Sequence, residues 1–337
     1  MASVAVVIPC YRVKDHILEV ISRIGPEVAT IFIVDDKCPM ETGRHVEAHC
    51  KDPRVEVIYH RQNLGVGGAT MSGYLAALSA EAGIVVKIDG DGQMDPSLIP
   101  SLVAPIVEGA TDYVKGNRFF SLDSLIDMPR FRLFGNSVLS FVSKITSGYW
   151  NVMDPTNGFT AIHADVLRLL PFDKLDNRYF FESDMLFRLG TLRAVVKELP
   201  MIAQYGDEAS GLRISRVVID FPPKFFARFF KRMFYLYYLR DFTVCSLELI
   251  AGTLLMFFGG TFGIWHWYLS VKDGVPATTG TVMVAALPVI LGFQLLLSAV
   301  SFDVMNVPKD PLHLIMKMGI SPASVLGMVT KRSTQRS

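Results

Sequence analysis

The sequence is short of cysteine and nearly balanced in charge. Its four cysteines, Cys10, Cys38, Cys50 and Cys245, show neither metal-type spacing nor a disulfide framework, which fits a reducing compartment. Thirty-three basic against thirty-two acidic residues leave a formal charge of +1, so no global field argues for a nucleic-acid partner. No charged n-region followed by an apolar h-region opens the chain. No cleavable signal peptide is therefore expected, and the N-terminal part is expected to stay in the cytoplasm. Two stretches lack charge altogether: Leu249–Tyr268 and Thr281–Phe302 hold no Asp, Glu, Lys or Arg. What is abundant is apolar: half of the 337 residues are hydrophobic, in a length that admits one large domain or two moderate ones.

From Met1 to about Ser215, short apolar runs alternate with helical patterns. Val4–Ile8, Thr30–Val34, Val55–Tyr59 and Ile84–Ile88 read as buried strands, with a helical stretch around Asp15–Ile24 and another from a glycine-rich turn at Asn63–Ala69 to about Ala82. Continuous apolar strands separated by helices predict an α/β fold with a mostly parallel sheet. Asp35-Asp36 and the cluster Asp89-Gly90-Asp91-Gly92-Gln93-Met94-Asp95 follow the second and fourth of these strands. Ligands of open α/β sheets bind beyond strand C-terminal ends. Asp89 and Asp91 are two apart and point the same way on an extended segment, and the glycines let the backbone approach a ligand. Hard oxygen donors there suit Mg²⁺ or Mn²⁺ bound with a phosphate. An acidic turn after a strand is the plainer alternative. Asp95, before Pro96, reads as a helix cap.

After Ser215 the character changes. Lys224, Arg228, Lys231 and Arg232 share one helical face, with Phe225, Phe226, Phe229, Phe230 and Met233 filling much of the remainder. A basic stripe beside an aromatic face predicts a juxtamembrane amphipathic helix within 216–242, lying in the interface. Leu249–Tyr268 and Thr281–Phe302 each reach the roughly 20 residues needed to span a bilayer. A charge at the bilayer centre costs roughly 2.5–3.5 kcal/mol, so Glu248 and Asp303 are expected at the cytoplasmic edges. Trp265, Trp267 and Tyr268 would form an aromatic belt at the far end. Basic residues gather before the first span and after the second (Lys309, Lys317, Lys331, Arg332), which predicts both termini inside. The expected organisation is a domain over 1–215, the helix over 216–242, two spans within 243–305 and a cytoplasmic tail over 306–337. Gly252, Gly259, Gly260 and Gly263 could serve packing against another copy or only within the hairpin.

Val6-Val7-Ile8-Pro9-Cys10-Tyr11, Asp35-Asp36 and Asp89-Gly90-Asp91-Gly92-Gln93, in this order, resemble a family 2 glycosyltransferase of the GT-A fold. Asp154-Pro155-Thr156-Asn157-Gly158-Phe159 is similar to a segment of dolichol-phosphate mannose synthases and their bacterial polyprenyl-phosphate relatives. The resemblance covers about Ala2–Ser215, and no single motif in it is specific. It implies an inverting, metal-dependent transfer of a sugar from a UDP- or GDP-linked donor to a polyprenyl phosphate at the cytoplasmic face of the membrane. Pro9, Tyr11, Asp36 and Asp89 would bind the nucleotide, and Asp89, Asp91 and Gln93 the metal. Arg118, with Arg132 and Arg130, would hold the acceptor phosphate, since an already anionic oxygen needs positioning by cations more than a base; arginine's planar fork suits it. Glu182 and Asp184 would bind sugar hydroxyls with Asp154, or simply open a helix, where carboxylates are favourable. Tyr205–Arg216 takes the place of an acceptor loop but carries Asp207 and Glu208 where the mannose synthases are more basic; Arg213 and Arg216 would compensate. A processive polysaccharide synthase is a second reading, without its Gln-x-x-Arg-Trp motif here, and a non-catalytic nucleotide-sugar-binding membrane protein a third.

Overall fold

The alternating apolar runs resolve into one seven-stranded sheet. In the computed structural model, residues 3–120, 130–201 and 214–318 are described, with side chains for all of these except 130–132 and 214–218. The described residues form two compact units, one of 3–232 with 308–318 and one of 233–307.

In the first unit the strands are β1 (Val4–Cys10), β2 (Val28–Asp35), β3 (Val55–Tyr59), β4 (Ile84–Lys87), β5 (Tyr113–Asn117), β6 (Thr160–His163) and β7 (Val196–Pro200). Their order is β3-β2-β1-β4-β6-β5-β7. Only β6 opposes the others, pairing antiparallel with β4 and β5. The chain leaves β1 toward β2 and β3, then returns to β1's other flank as β4. The strand order therefore reverses between β1 and β4, the place where open sheets form a binding crevice. Helices α1 (Ile17–Ser22), α2 (Thr42–His49), α3 (Val66–Ser79), α4 (Ile99–Val107), α5 (Arg130–Ser147), α6 (Ala164–Arg168) and α7 (Phe181–Leu192) follow in sequence. Val6, Ile8, Ile31, Ile33, Val86 and Ile88 share one sheet face and form a continuous core with Leu102 of α4, while Val7, Val34 and Val85, on the other face, are fully buried as well.

In the next helix, α8 (Ile214–Phe234), three of the four bases of the stripe meet partners in the first unit, while Lys231 is exposed. Lys224 pairs with Asp176, Arg228 Nε lies 3.1 Å from Asp184 Oδ1, and Arg232 Nη2 donates to the Ile145 carbonyl at 2.6 Å. Phe226 and Phe230 are exposed instead. Periodicity shows which residues share a face, while buried partners decide which face is turned in.

The second unit holds α9 (Val244–Asp273) and α10 (Thr279–Met305). Both are long and apolar enough to cross a membrane, and most of their apolar side chains are exposed, unlike core helices of a soluble domain. They pack antiparallel through small residues. A Cβ on Gly252 would stand 3.0 Å from the Gly292 carbonyl, and one on Gly259 2.7 Å from the Ala285 carbonyl. Those glycines serve the hairpin's own packing. Glu248 and Asp303 sit at the same end, each with a hydroxyl donor: Ser298 Oγ at 2.8 Å for Glu248, and the Tyr237 phenol for Asp303.

After the hairpin, α11 (Leu312–Lys317) belongs to the first unit. Asp112 receives the Leu312 and Val195 amides on one oxygen and the His313 amide and ring Nδ1 on the other, at 2.7–2.9 Å. The His313 ring stacks on His163 with centroids 4.3 Å apart.

Candidate active site

Three strand ends meet at the reversal point. Pro9 is buried in the last turn of β1, and Tyr11 beyond it is exposed, with the Arg12 guanidinium 5.4 Å from its ring centre. Asp35 and Asp36 end β2 and divide their work. Asp35 accepts the Cys38 and Gly43 amides, each at 2.7 Å, and so ties down the entry to α2. Asp36 accepts the Leu64 and Gly65 amides and His60 Nδ1, each at 2.8 Å, and so shapes the turn before α3. A carboxylate can accept about four hydrogen bonds, which leaves room for about one more on Asp36.

The acidic loop after β4 is anchored by a residue that the strand pattern conceals. Lys87 is 1% exposed, with Nζ 2.9 Å from Asp89 Oδ1 and 3.0 Å from Glu182 Oε1. Burial alone would lower its pKa; Asp89 and Glu182 outweigh burial and raise it above the ordinary lysine range, so it stays charged. The contact to Asp89 is close but poorly aligned, so Asp89 Oδ1 is a buried acceptor without a well-directed donor. Gly158 lies over the pair, where a Cβ would stand 2.4 Å from Asp89 Oδ2 and 2.6 Å from Lys87 Nζ. Asp91 Oδ1 accepts the Gln93 amide at 3.1 Å, and both residues are half-buried. Asp95 accepts the Ser97 amide at 3.0 Å as the cap of a short 3-10 turn, as its place before Pro96 predicts, and pairs with Arg23.

A second ionic cluster stands beside the first, at the end of β5. The Arg118 guanidinium forks onto Asp154, Nε to Oδ2 at 2.7 Å and Nη2 to Oδ1 at 2.8 Å, and reaches Thr156 Oγ1 at 3.1 Å. Asp154 is fully buried. Burial pushes its pKa up, but the Arg118 bonds dominate and hold it below the usual carboxylate range. Glu198 accepts the Met153 and Asp154 amides at 2.8 Å and the Asn117 side chain at 2.8 Å. Lys115 is buried and donates to the Asn157 carbonyl; burial lowers its pKa to about 8 against the pull of Glu182 and Asp154. The segment from Asp154 to Phe159 is thus clamped from both sides, by Arg118 and Lys115 at one end and by Lys87 and Asp89 under Gly158.

Of the candidate sugar ligands, Glu182 is drawn to the site by Lys87. Asp184 is not: it is fully buried, accepting the Asp176 amide at 3.1 Å and facing Arg228 at 3.1 Å and Arg188 at 3.8 Å. Arg130 and Arg132 occupy the first turn of α5, but their side chains, like all of Arg213, lie outside the described residues. Lys87, Lys115, Glu198 and His60 were missed by sequence reasoning. For Lys87 a signal exists: it interrupts an otherwise apolar run, Ile84–Ile88, where an unpaired charge would be untenable.

Among the described residues, no group of three or more His, Cys, Asp or Glu is arranged to hold a metal alone. The donors nonetheless fit a divalent cation. Mg²⁺-type sites commonly use one or two carboxylates completed by substrate phosphates, and Asp89 and Asp91 provide two, one with an under-satisfied buried oxygen.

Residues 5–170 match the family described as glycosyl transferase family 2. The chain is 30% identical over 229 residues, 64% of its length, to a UDP-N-acetylglucosamine–dolichyl-phosphate N-acetylglucosaminyltransferase from Methanococcus voltae, of which it covers 90%. It is 28% identical to an undecaprenyl-phosphate mannosyltransferase from Micrococcus luteus, with 59% of this chain and 82% of the relative covered. The crystal structure of glucosyl-3-phosphoglycerate synthase from Mycobacterium tuberculosis with Mn²⁺, UDP-glucose and phosphoglyceric acid superposes with a TM-score of 0.51 at 18% identity, covering 68% of this chain and 79% of that one. That last likeness is one of fold.

Proposed function

The chain belongs to glycosyl transferase family 2, with a GT-A-like domain, and from this premise we propose that it transfers a sugar from a nucleoside diphosphate donor to a polyprenyl phosphate. The observation that carries the acceptor is the identity to a dolichyl-phosphate transferase across 90% of that relative, in a chain that also bears two exposed apolar helices. We read those helices as two membrane spans, with the catalytic domain on the cytoplasmic face of the cell's inner membrane.

In this reading the nucleotide lies across the β1–β4 reversal, against Tyr11 and the remaining capacity of Asp36. Asp89, Asp91 and Gln93 would hold a divalent cation, which supplies positive charge to the departing diphosphate. Lys87 keeps Asp89 in place from below, and Glu182 is the candidate for a sugar hydroxyl. The acceptor's phosphate oxygen attacks the anomeric carbon as the bond from that carbon to the diphosphate oxygen breaks, and the configuration inverts. The attacking oxygen is already anionic, so no base is required. Arg118, fixed in direction by Asp154, together with Arg130, Arg132 and Arg213, supplies the cations that would bring it close.

The test incubates the purified full-length protein with labelled UDP- and GDP-sugars, Mn²⁺ or Mg²⁺, and undecaprenyl or dolichyl phosphate. An organic-extractable, alkali-stable, acid-labile product is expected. A polymeric product, or none across the donor panel, would overturn the reading.

A further inference from the structure

Asp36 is nearly saturated by the protein itself. Its Oδ1 accepts two donors, the Leu64 amide and His60 Nδ1, each at 2.8 Å. Its Oδ2 accepts one, the Gly65 amide, also at 2.8 Å. A carboxylate oxygen has about two acceptor directions, so Oδ1 is full and Oδ2 keeps about one. The Asp36 side chain is 3% exposed, which fits a single remaining direction and not an open two-oxygen face. Two of the three donors are backbone amides of the turn before α3; His60 is the side chain among them. Its ring is pinned from the far end, where Nε2 meets Ser72 Oγ of α3 at 2.9 Å, and its backbone amide donates to the Asp35 carbonyl at 2.9 Å. The Asp36 amide donates to the Cys10 carbonyl at 3.1 Å, so the carboxylate stands beside the segment that carries the exposed ring of Tyr11, a flat surface on which a base can stack.

We propose that His60 is a specificity-determining residue: by filling Oδ1 of Asp36 it limits the donor's base to one hydrogen bond on Oδ2, and so selects uridine over guanosine diphosphate donors. This role rests on the nucleotide-sugar donor proposed above. The pairing edge of uracil carries one donor, N3–H, between two carbonyl oxygens. That of guanine carries two adjacent donors, N1–H and the N2 amino group, which a carboxylate meets with both oxygens at once. With Oδ1 full, guanine's second donor faces the His60 and Leu64 N–H groups and finds no acceptor. A donor stranded in a buried site costs its full desolvation, more than the bond it forgoes. Uracil strands nothing on this carboxylate. Of the two occupants of Oδ1, the Leu64 amide is backbone, and His60 is the one that a substitution removes.

The experiment measures binding of UDP, GDP and inosine diphosphate to the purified full-length protein by titration calorimetry with Mn²⁺ present. Inosine diphosphate is GDP without the N2 amino group, so it isolates the second donor. UDP should bind at least about tenfold more tightly than GDP, and inosine diphosphate at least about threefold more tightly than GDP. GDP binding as tightly as UDP, or as tightly as inosine diphosphate, would overturn the proposal. UDP methylated at N3 should bind at least about tenfold more weakly than UDP, and equal binding would also overturn it. His60→Ala opens a direction on Oδ1, so the preference for UDP over GDP should fall to within about threefold and the advantage of inosine diphosphate should vanish. His60→Asn keeps a donor at the place of Nδ1 and should keep both preferences. An unchanged preference in His60→Ala would remove His60 from the choice of base. Each preference is a ratio within one variant, so a loss of folded protein lowers all three titrations together and leaves the ratio intact. Failure of all three nucleotides to bind would overturn the donor reading, and this role with it; binding without a preference for UDP leaves that reading standing and overturns the role of His60 alone.

Discussion

Gly158 has little freedom to change. Its missing side chain lets the Asp154–Phe159 segment lie directly on Lys87 and Asp89, and a methyl group would come within 2.4 Å of Asp89 Oδ2. Neither neighbour can retreat easily, because Lys87 is buried between two carboxylates. Gly158→Ala should therefore displace Asp89, with a loss of stability of about 1–3 kcal/mol from overpacking and a fall in transfer of at least about tenfold. Thermal unfolding and the transfer assay check this, and near-normal activity would show that Asp89 has slack the structure does not reveal. The same cluster explains a limit of sequence reading. Lys87 stands next to the acidic motif, yet its partner Glu182 is 95 positions away. An ion pair of that separation has no local signature. Only the interruption of an apolar run hints that the lysine must find a counter-charge.

At the scale of elements, helices are positioned by buried carboxylates as much as by apolar faces. Asp184 draws α8 against α7, and Asp112 docks α11. Asp112 is fully buried and uses both oxygens on four donors, three of them backbone amides. Asp112→Ala should leave those donors unsatisfied and release α11 from the first unit. The expected loss is about 1–3 kcal/mol, the cost of stranding buried polar groups. Limited proteolysis between α10 and α11 should then be faster than in the unsubstituted protein; an unchanged rate would contradict this role for Asp112. The neighbouring His163 is pushed down to about 4 by burial and by His313 stacked on it, so it is neutral at ordinary pH, consistent with its ring accepting the Asp165 amide. The basic stripe of α8 belongs to this scale as well. Its spacing was legible in the sequence, but its direction depended on Asp176 and Asp184, which only the fold brings there.

For the whole molecule, the fit of a divalent cation without an all-protein cage has a measurable consequence. Chelation with EDTA should stop transfer, and Mn²⁺ should restore it, while the unfolding temperature of the nucleotide-free protein stays unchanged. A marked drop in unfolding temperature on chelation alone would point to a structural metal instead. The sequence by itself determined the α/β alternation, the strand ends at Pro9, Asp36 and Asp89, and two apolar stretches long enough to span a bilayer. These follow from periodicity, length and charge, which are local properties of the chain. Tertiary structure alone decided that β6 runs against the sheet, that Asp184 faces α8 rather than the site, that Gly252 and Gly259 face the opposite helix of the hairpin, and that the chain returns after α10 to dock on Asp112. It also decided that Lys87 sits beneath Asp89 and that Gly158 lies over the pair. Each of these is set by partners distant in sequence, where burying a charge or a backbone amide is tolerable only if the fold brings its counterpart within hydrogen-bonding reach.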